Sequence, residues 1–116
     1  RSLRANRYAW LLSNQLASKM RTSNDEMHLS LLMRYGQTDI IELRKDIDPS
    51  RYFEYYILRS EGEQFNEYLV AVGSRHYNTS EMARFIDGIV SECKEQGIPT
   101  ETPDEIARMV SLWQSN

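Results

Sequence analysis

The chain has 116 residues, a formal net charge of −3 at pH 7 and one cysteine, so an intrachain disulfide is excluded. This length predicts one domain, spanning residues 1–116, with a real but modest core. No apolar run approaches the ~20 residues that span a bilayer, and no signal peptide is visible, so we expect a soluble intracellular protein.

The charge is unevenly distributed along the chain. Residues 1–22 hold five basic side chains and no acid, whereas residues 81–105 hold seven acids against Arg84 and Lys94. A basic end of this kind is typical of a surface that faces a polyanion. A basic helix that pairs with an acidic helix of the same fold gives the same pattern, and charge alone favours that structural interpretation.

The first predicted helix covers residues 4–21. Its predicted buried face carries Ala5, Tyr8, Ala9, Leu12, Leu16 and Met20. The opposite face carries Arg4, Arg7, Asn14, Ser18 and Arg21, with Trp10 at its border. This face is either solvated charge or a phosphate-contacting ridge beside an aromatic ring on which bases stack.

A second helix is predicted over residues 24–35, after the capping sequence S-x-x-E at Ser23 and before Gly36. Apolar residues on nearly all its faces predict burial on several sides, part of it against a second subunit. We interpret His28, within this helix, as a partly buried residue rather than a metal ligand.

The middle of the chain has the composition of strands. Residues 39–45 predict a short strand, and residues 52–59 and 67–72 predict an antiparallel hairpin with a longer loop around Gly62. Seven of the chain's twelve aromatic residues lie in or beside this hairpin. Packing against helices explains them best, although a base-stacking platform uses the same residue types.

The most clearly marked helix follows Asn78 and ends before Gly97. Met82, Phe85, Ile86, Ile89, Val90 and Cys93 form its apolar stripe, which predicts the core and a buried, inert thiol. Glu81 completes a capping box with Asn78, and Gly97 with Pro99 ends the helix.

A last helix starts at the capping sequence Thr102-Pro103-Asp104-Glu105 and continues to Trp113. The short connection before it predicts that the last two helices pack as an αα-hairpin. The predicted fold is therefore α+β, mainly α, with about four helices and a small antiparallel β-hairpin.

The sequence contains no recognisable catalytic or cofactor motif. His28 and His76 are far apart, one cysteine cannot complete a zinc site, and no phosphate-binding glycine loop is present. We therefore predict neither a metal nor a cofactor, and no enzyme activity.

In its opening motif the chain resembles the NinB (Orf) family of phage recombination accessory proteins. The motif is Arg1-Ser2-Leu3-x-x-Asn6-x-x-x-Trp10, which is similar to the pattern that opens the family's first long helix. Later blocks resemble relatives in phages of Gram-positive bacteria. They are Tyr52-Phe53-x-Tyr55-Tyr56, Gly73-Ser74, Glu81-Met82, Ile86-Asp87-Gly88-Ile89-Val90, Gly97-Ile98 and Thr102-Pro103-x-Glu105.

This resemblance implies a mainly helical protein with a small sheet that forms an intertwined homodimer in the bacterial host cytoplasm. It implies binding to DNA, preferentially single-stranded, and help in loading a recombinase onto strands covered by single-strand binding protein. It also implies N-terminal strands upstream of residue 1, so we expect the chain to be a piece of a longer protein. Asn6 and Trp10 are its signature positions.

The predicted DNA-binding residues are Arg4, Arg7, Trp10, Asn14 and Arg21. One alternative is a structural or protein-interaction module that contacts host replication or recombination factors. Another is the N-terminal part of an HNH-type phage nuclease, because some relatives carry such a module; this chain has no paired histidines to form one.

Overall fold

The computed structural model describes residues 2–113, which form four helices and three strands. The helices are α1 (Arg4–Met20), α2 (Asn24–Tyr35), α3 (Thr79–Glu95) and α4 (Pro103–Ser111). The strands are β1 (Thr38–Arg44), β2 (Tyr55–Glu61) and β3 (Phe65–Ala71). The α+β class and the four helices are confirmed.

The predicted ends of α3 are confirmed in detail. The Asn78 side chain accepts a hydrogen bond from the Glu81 N–H, and the Glu81 carboxylate accepts one from the Asn78 N–H, each at 2.8 Å. Gly97 has φ +71°, which a residue with a Cβ rarely adopts. The Ile98 N–H then donates to the Cys93 carbonyl at 2.9 Å and closes the helix.

The C-terminal end of α1 differs from the prediction of a helix through residue 21. Arg21 has φ 58° and ψ 45°, so it caps the helix in the left-handed conformation instead of extending it. Met20, predicted on the buried face, is 51 % exposed because it lies in the last turn, beyond the neighbouring helix.

The core lies where α1, α2 and α3 pack together. Met82, Phe85, Ile86, Ile89 and Cys93 are completely buried there, which confirms the predicted stripe, while Val90 is only partly buried at its edge. The burial of the Cys93 thiol raises its pKa to about 11, so this sulfur stays protonated and unreactive at neutral pH.

Half of the apolar residues of α2 are buried by the chain itself. Leu31 and Leu32 are fully buried and Met27 is 8 % exposed, whereas Leu29, Met33 and Tyr35 are only partly buried. Gly88 of α3 faces the Tyr35 ring so closely that a Cβ there would overlap it. The absence of a side chain at Gly88 therefore allows α2 and α3 to approach each other.

The sheet has three strands in the order β1-β3-β2, with antiparallel pairs. The predicted hairpin is present as β2 and β3, but the sheet has three strands rather than two. The predicted strand at 39–45 is β1, and it pairs with β3 rather than standing apart. The segment 52–54, predicted as strand, precedes β2, and the β2–β3 turn is residues 62–64. The missed feature is long-range, because β1 pairs with a strand that follows it by twenty residues or more.

The sheet extends beyond the helices. Tyr55 and Ala71 pack against the helical core, and Ile40 and Ile57 lie further along the same face, on either side of Leu69. Ile40 is 50 % exposed and Ile57 is 39 % exposed. The molecule measures 50 × 32 × 17 Å and is therefore elongated. Ile40 and Ile57 form an exposed apolar row on the part of the sheet that lies away from the helical core.

The two ends of the described chain meet. Ser2 forms a parallel bridge with Trp113, and the Trp113 indole N–H donates to the Tyr77 carbonyl at 2.8 Å.

The packing of α3 and α4 as an αα-hairpin stays a prediction. Within residues 2–113, no helix has both the length and the apolar character needed to cross a membrane.

Candidate nucleic-acid interface

A cleft runs between α1, the first half of α2 and the start of β2. It consists of two adjoining cavities of about 470 and 230 Å³, which share Trp10, Glu54 and Tyr55. The larger one is also lined by Asp25, His28, Leu29 and Tyr56, and the smaller one by Asn6, Gly73, Ser74 and Arg75. The larger volume lies in the range of ~300–1,000 Å³ typical of small-ligand sites.

Aromatic rings form the floor of this cleft. The Trp10 and His28 rings are stacked, with centroids 3.4 Å apart and planes at 13°. The Tyr55 and Phe85 rings meet His28 edge-on, with centroid distances of 5.9 and 6.1 Å. One face of the half-buried Trp10 indole is therefore covered by His28.

His28 is buried without a polar partner. The residue is 1 % exposed, and neither ring nitrogen has a hydrogen-bond partner among residues 2–113. Burial lowers the pKa of this imidazole to about 4, against a smaller raising effect of the Asp25 charge. At neutral pH His28 is thus uncharged, with one N–H donor and one acceptor nitrogen.

A hydrogen bond of Asn6 joins two segments that line the smaller cavity of the cleft. The Asn6 side-chain oxygen accepts a 2.6 Å hydrogen bond from the buried Ser74 hydroxyl, across 68 positions of sequence. This bond joins the start of α1 to the turn after β3. The next residue, Arg75, is exposed at the mouth of the smaller cavity and donates from Nε to the His76 ring at 3.1 Å.

The cleft has an acidic and a basic end. Asp25 lines the larger cavity, Arg75 lines the smaller one, and Glu54 lines both. Burial raises the pKa of the Tyr55 hydroxyl, the Glu54 and Asp25 charges raise it further, and the Arg75 charge lowers it. All three charged groups therefore act near this central ring, and the hydroxyl stays protonated at neutral pH.

The five predicted DNA-binding residues are not equivalent in the structure. The Arg4 guanidinium is paired with the Glu105 carboxylate of α4 at 3.1 Å, so one predicted charge is neutralised within the fold. Arg7 and Arg21 are exposed and form no ion pair with any residue of 2–113. Asn14 is half-buried, and only Trp10 lines the cleft.

Sequence reasoning missed four of the residues that line this cleft: His28, Glu54, Tyr55 and Arg75. Periodicity could not place them together, because they come from α2, from β2 with the residue before it, and from the segment after β3. The blocks that carry the family resemblance were the available signal. Asn6, Trp10, Tyr55, Gly73 and Ser74 all belong to those blocks, and all five line the cleft.

No three histidine, cysteine, aspartate or glutamate side chains come together as possible metal ligands in residues 2–113. No protein-family model, curated protein or solved structure matches the chain. Function therefore has to be inferred from the chemistry of these residues.

Proposed function

We propose that this chain binds DNA, preferentially single-stranded, as a phage recombination accessory protein of the NinB kind, in the cytoplasm of the bacterial host. The observation that carries the proposal is the convergence of Asn6, Trp10, Tyr55, Gly73 and Ser74 on one cleft. These residues lie far apart in sequence, and the fold brings them to one cavity, where they can contact the same ligand.

Phosphate binding is assigned to the outer side of α1. Arg7, Trp10 and Asn14 succeed one another at spacings of three and four residues, which places them along one side of the helix. Arg21 follows as the residue that caps the C-terminal end of α1. The two arginines are exposed and without an acidic partner in residues 2–113. Guanidinium groups in this state release counterions from a phosphate backbone when they bind it.

Base stacking is assigned to the cleft beside this ridge. Trp10 and Tyr55 are half-buried and line both cavities. Stacking on such rings favours unpaired bases, because the faces of paired bases are already occupied in a duplex. This is the reason for preferring single-stranded over double-stranded DNA.

The test is a titration of a single-stranded oligonucleotide at several salt concentrations. The double variant Arg7→Ala/Arg21→Ala should bind more weakly than wild type. Its salt slope should shrink by about 0.7 for each lost phosphate contact.

The matched control is Arg51→Ala/Arg84→Ala, which removes the same charge from two exposed arginines outside α1 that, like Arg7 and Arg21, form no ion pair within residues 2–113. Equal affinity and equal salt slope for the folded α1 variant and this control would contradict the assignment to α1. Binding to duplex as tight as to single strands would contradict the preference.

The proposal includes self-association and contact with recombination proteins. The exposed apolar row of Ile40 and Ile57 favours a homodimer through the sheet rather than through α2, because the apolar residues of α2 are buried or partly buried. Loading of a recombinase onto strands covered by single-strand binding protein follows from the resemblance alone. Its test is recombinase filament formation on coated strands with and without this protein.

A second candidate function is a protein-interaction module. A groove of about 460 Å³ between α3 and α4 favours it, with Ala83, Val90, Ile106 and Val110 among its apolar residues and charged residues at its rim. Failure to bind any DNA at low salt, together with retention of a replication or recombination factor that is lost in Val90→Glu, would favour this candidate.

A further inference from the structure

The larger cavity of the cleft is lined by hydrogen-bonding groups that base stacking does not use. The buried imidazole of His28 lines it with both nitrogens unpartnered, and the Asp25 and Glu54 carboxylates lie on its walls. A buried polar group without a partner carries a desolvation cost that a ligand can remove. These groups therefore indicate a ligand with a polar edge as well as an apolar face.

The charges of the cleft restrict what that ligand can be. Phosphate is disfavoured beside Asp25 and Glu54, because like charges repel at short range. Arg75, which lines the smaller cavity together with Glu54, is the cation of the cleft that can pair with a phosphate. An aromatic heterocycle in the larger cavity, joined to a phosphate near Arg75, can interact with the carboxylates and with the guanidinium at once. A simple cationic side chain can interact only with the carboxylates.

We propose that the larger cavity binds one unpaired nucleobase that carries an exocyclic amino group, in preference to thymine or uracil. This inference rests on the proposed binding of single-stranded DNA and specifies which bases the cleft selects. The flat base packs against Trp10 and Tyr55, and its polar edge faces Asp25, Glu54 and His28.

The preference follows from donor and acceptor numbers. Ionised carboxylates only accept hydrogen bonds, so Asp25 and Glu54 need donors on the base. Cytosine offers its N4 amino group, and acidic side chains accept from this group when proteins read cytosine in DNA. At the same position uracil and thymine carry a carbonyl oxygen, which carboxylates repel.

His28 completes the match. A neutral imidazole donates through one nitrogen and accepts through the other. Cytosine has an acceptor nitrogen, N3, next to its amino group, whereas uracil has an N–H donor there. In one orientation of the base, the His28 N–H can donate to cytosine N3 while a carboxylate accepts from the neighbouring N4 amino group. Uracil in the same orientation presents an N–H to the His28 donor and a carbonyl oxygen to the carboxylate, so neither contact forms.

The experiment compares oligo-dC with oligo-dU of equal length at neutral pH and moderate salt. These two differ at ring position 4 and in the N3 proton, so backbone and size are matched. Wild type should bind oligo-dC about tenfold more tightly, in the range expected for a specific base-edge contact.

Glu54→Gln should bring this ratio close to one, because the amide donates to uracil as well as accepting from cytosine. Glu63→Gln is the matched control, since it removes the same charge at the exposed β2–β3 turn, at the opposite end of β2 from Tyr55. The control changes both affinities together and leaves their ratio unchanged.

Quenching of tryptophan fluorescence by the free mononucleotides locates the contact. Trp10 is half-buried at the cleft and Trp113 is buried elsewhere, so deoxycytidine monophosphate should quench wild type and not Trp10→Phe.

The outcomes separate this inference from the proposed function. If neither oligonucleotide binds, single-strand binding itself is wrong. If both bind equally, or if Glu54→Gln leaves the preference intact, single-strand binding stands and the base selection is overturned. Equal binding together with displacement by an arginine-rich peptide assigns the cavity to a protein partner, which also overturns it.

Discussion

His28 is a polar side chain enclosed by the Trp10, Tyr55 and Phe85 rings. Enclosure gives it a firm position but removes its nitrogens from water, and no group of residues 2–113 replaces the lost hydrogen bonds. Its neutral state at pH 7 is a consequence of this burial.

The pKa of His28 predicts an acid-dependent loss of stability. The folded-state pKa of about 4 lies below the ordinary value of 6.5. Below pH 6.5 the unfolded chain therefore binds a proton that the folded chain excludes, and stability falls as the pH falls from 6.5 towards 4. Since one pKa unit corresponds to about 1.36 kcal/mol, the free energy of unfolding falls by about 3 kcal/mol over this range.

Denaturant unfolding of wild type and His28→Phe from pH 7 to pH 4 measures this loss. The difference between the two removes the contribution of the carboxylates, which titrate in both proteins. A difference that stays constant over this range would show that His28 does not titrate differently on unfolding.

At the scale of the elements, the close approach of α2 to α3 depends on Gly88. Glycine in the middle of a helix is unfavourable by ~1 kcal/mol relative to alanine. Here the Tyr35 ring occupies the position of the missing Cβ. Close packing of the two helices thus opposes the intrinsic helix propensity of α3.

Gly88→Ala should therefore destabilise the protein by about 1–3 kcal/mol, the usual cost of overpacking, despite its better helix propensity. Chemical denaturation measures the effect. Ser91→Ala, at an exposed position of the same helix, is the control and should change stability little.

A Tyr35→Ala background tests the cause. With the ring removed, Gly88→Ala should no longer destabilise, and it should become neutral or slightly stabilising. The same cost in both backgrounds would mean that the Tyr35 contact is not responsible.

At the scale of the whole molecule, the helical body and the sheet differ in how well they are covered. The body encloses a completely buried core, whereas β1 and β2 are exposed along most of their length. Exposed apolar side chains such as Ile40 and Ile57, lying in one row, mark a surface suited to association.

The proposed homodimer through the sheet predicts that Ile40→Glu/Ile57→Glu is a monomer at concentrations where wild type is a dimer. A charge on this row costs desolvation energy in the interface but little in the monomer, because both positions are exposed. Sedimentation equilibrium over a wide concentration range measures the mass, and circular dichroism checks the fold. Leu11→Glu, at an exposed position of α1, is the control. A wild type that stays monomeric at every concentration would refute the dimer.

Local patterns sufficed to predict much of the helical body. The apolar stripe of α3, its capping box at Asn78 and its end at Gly97 are all set by neighbours within one or two turns, so the sequence by itself determined them. The same is true of the N-caps Ser23 and Thr102, whose side chains accept from Glu26 and Glu105 as predicted. Short-range hydrogen bonds and helical periodicity need no information from distant residues.

The place of β1 in the sheet and the cleft were decided only by the tertiary structure. Periodicity says nothing about which strand pairs with which, so β1 beside β3 was not predictable from the local pattern. Pairing of Arg4 with Glu105 likewise joins residues a hundred positions apart. The stacking of Trp10 on His28 and the bond between Asn6 and Ser74 depend on how α1 packs against α2 and the segment after β3. Composition and spacing could identify Trp10 as a candidate, but only long-range packing brings it together with a buried imidazole, two carboxylates and Arg75.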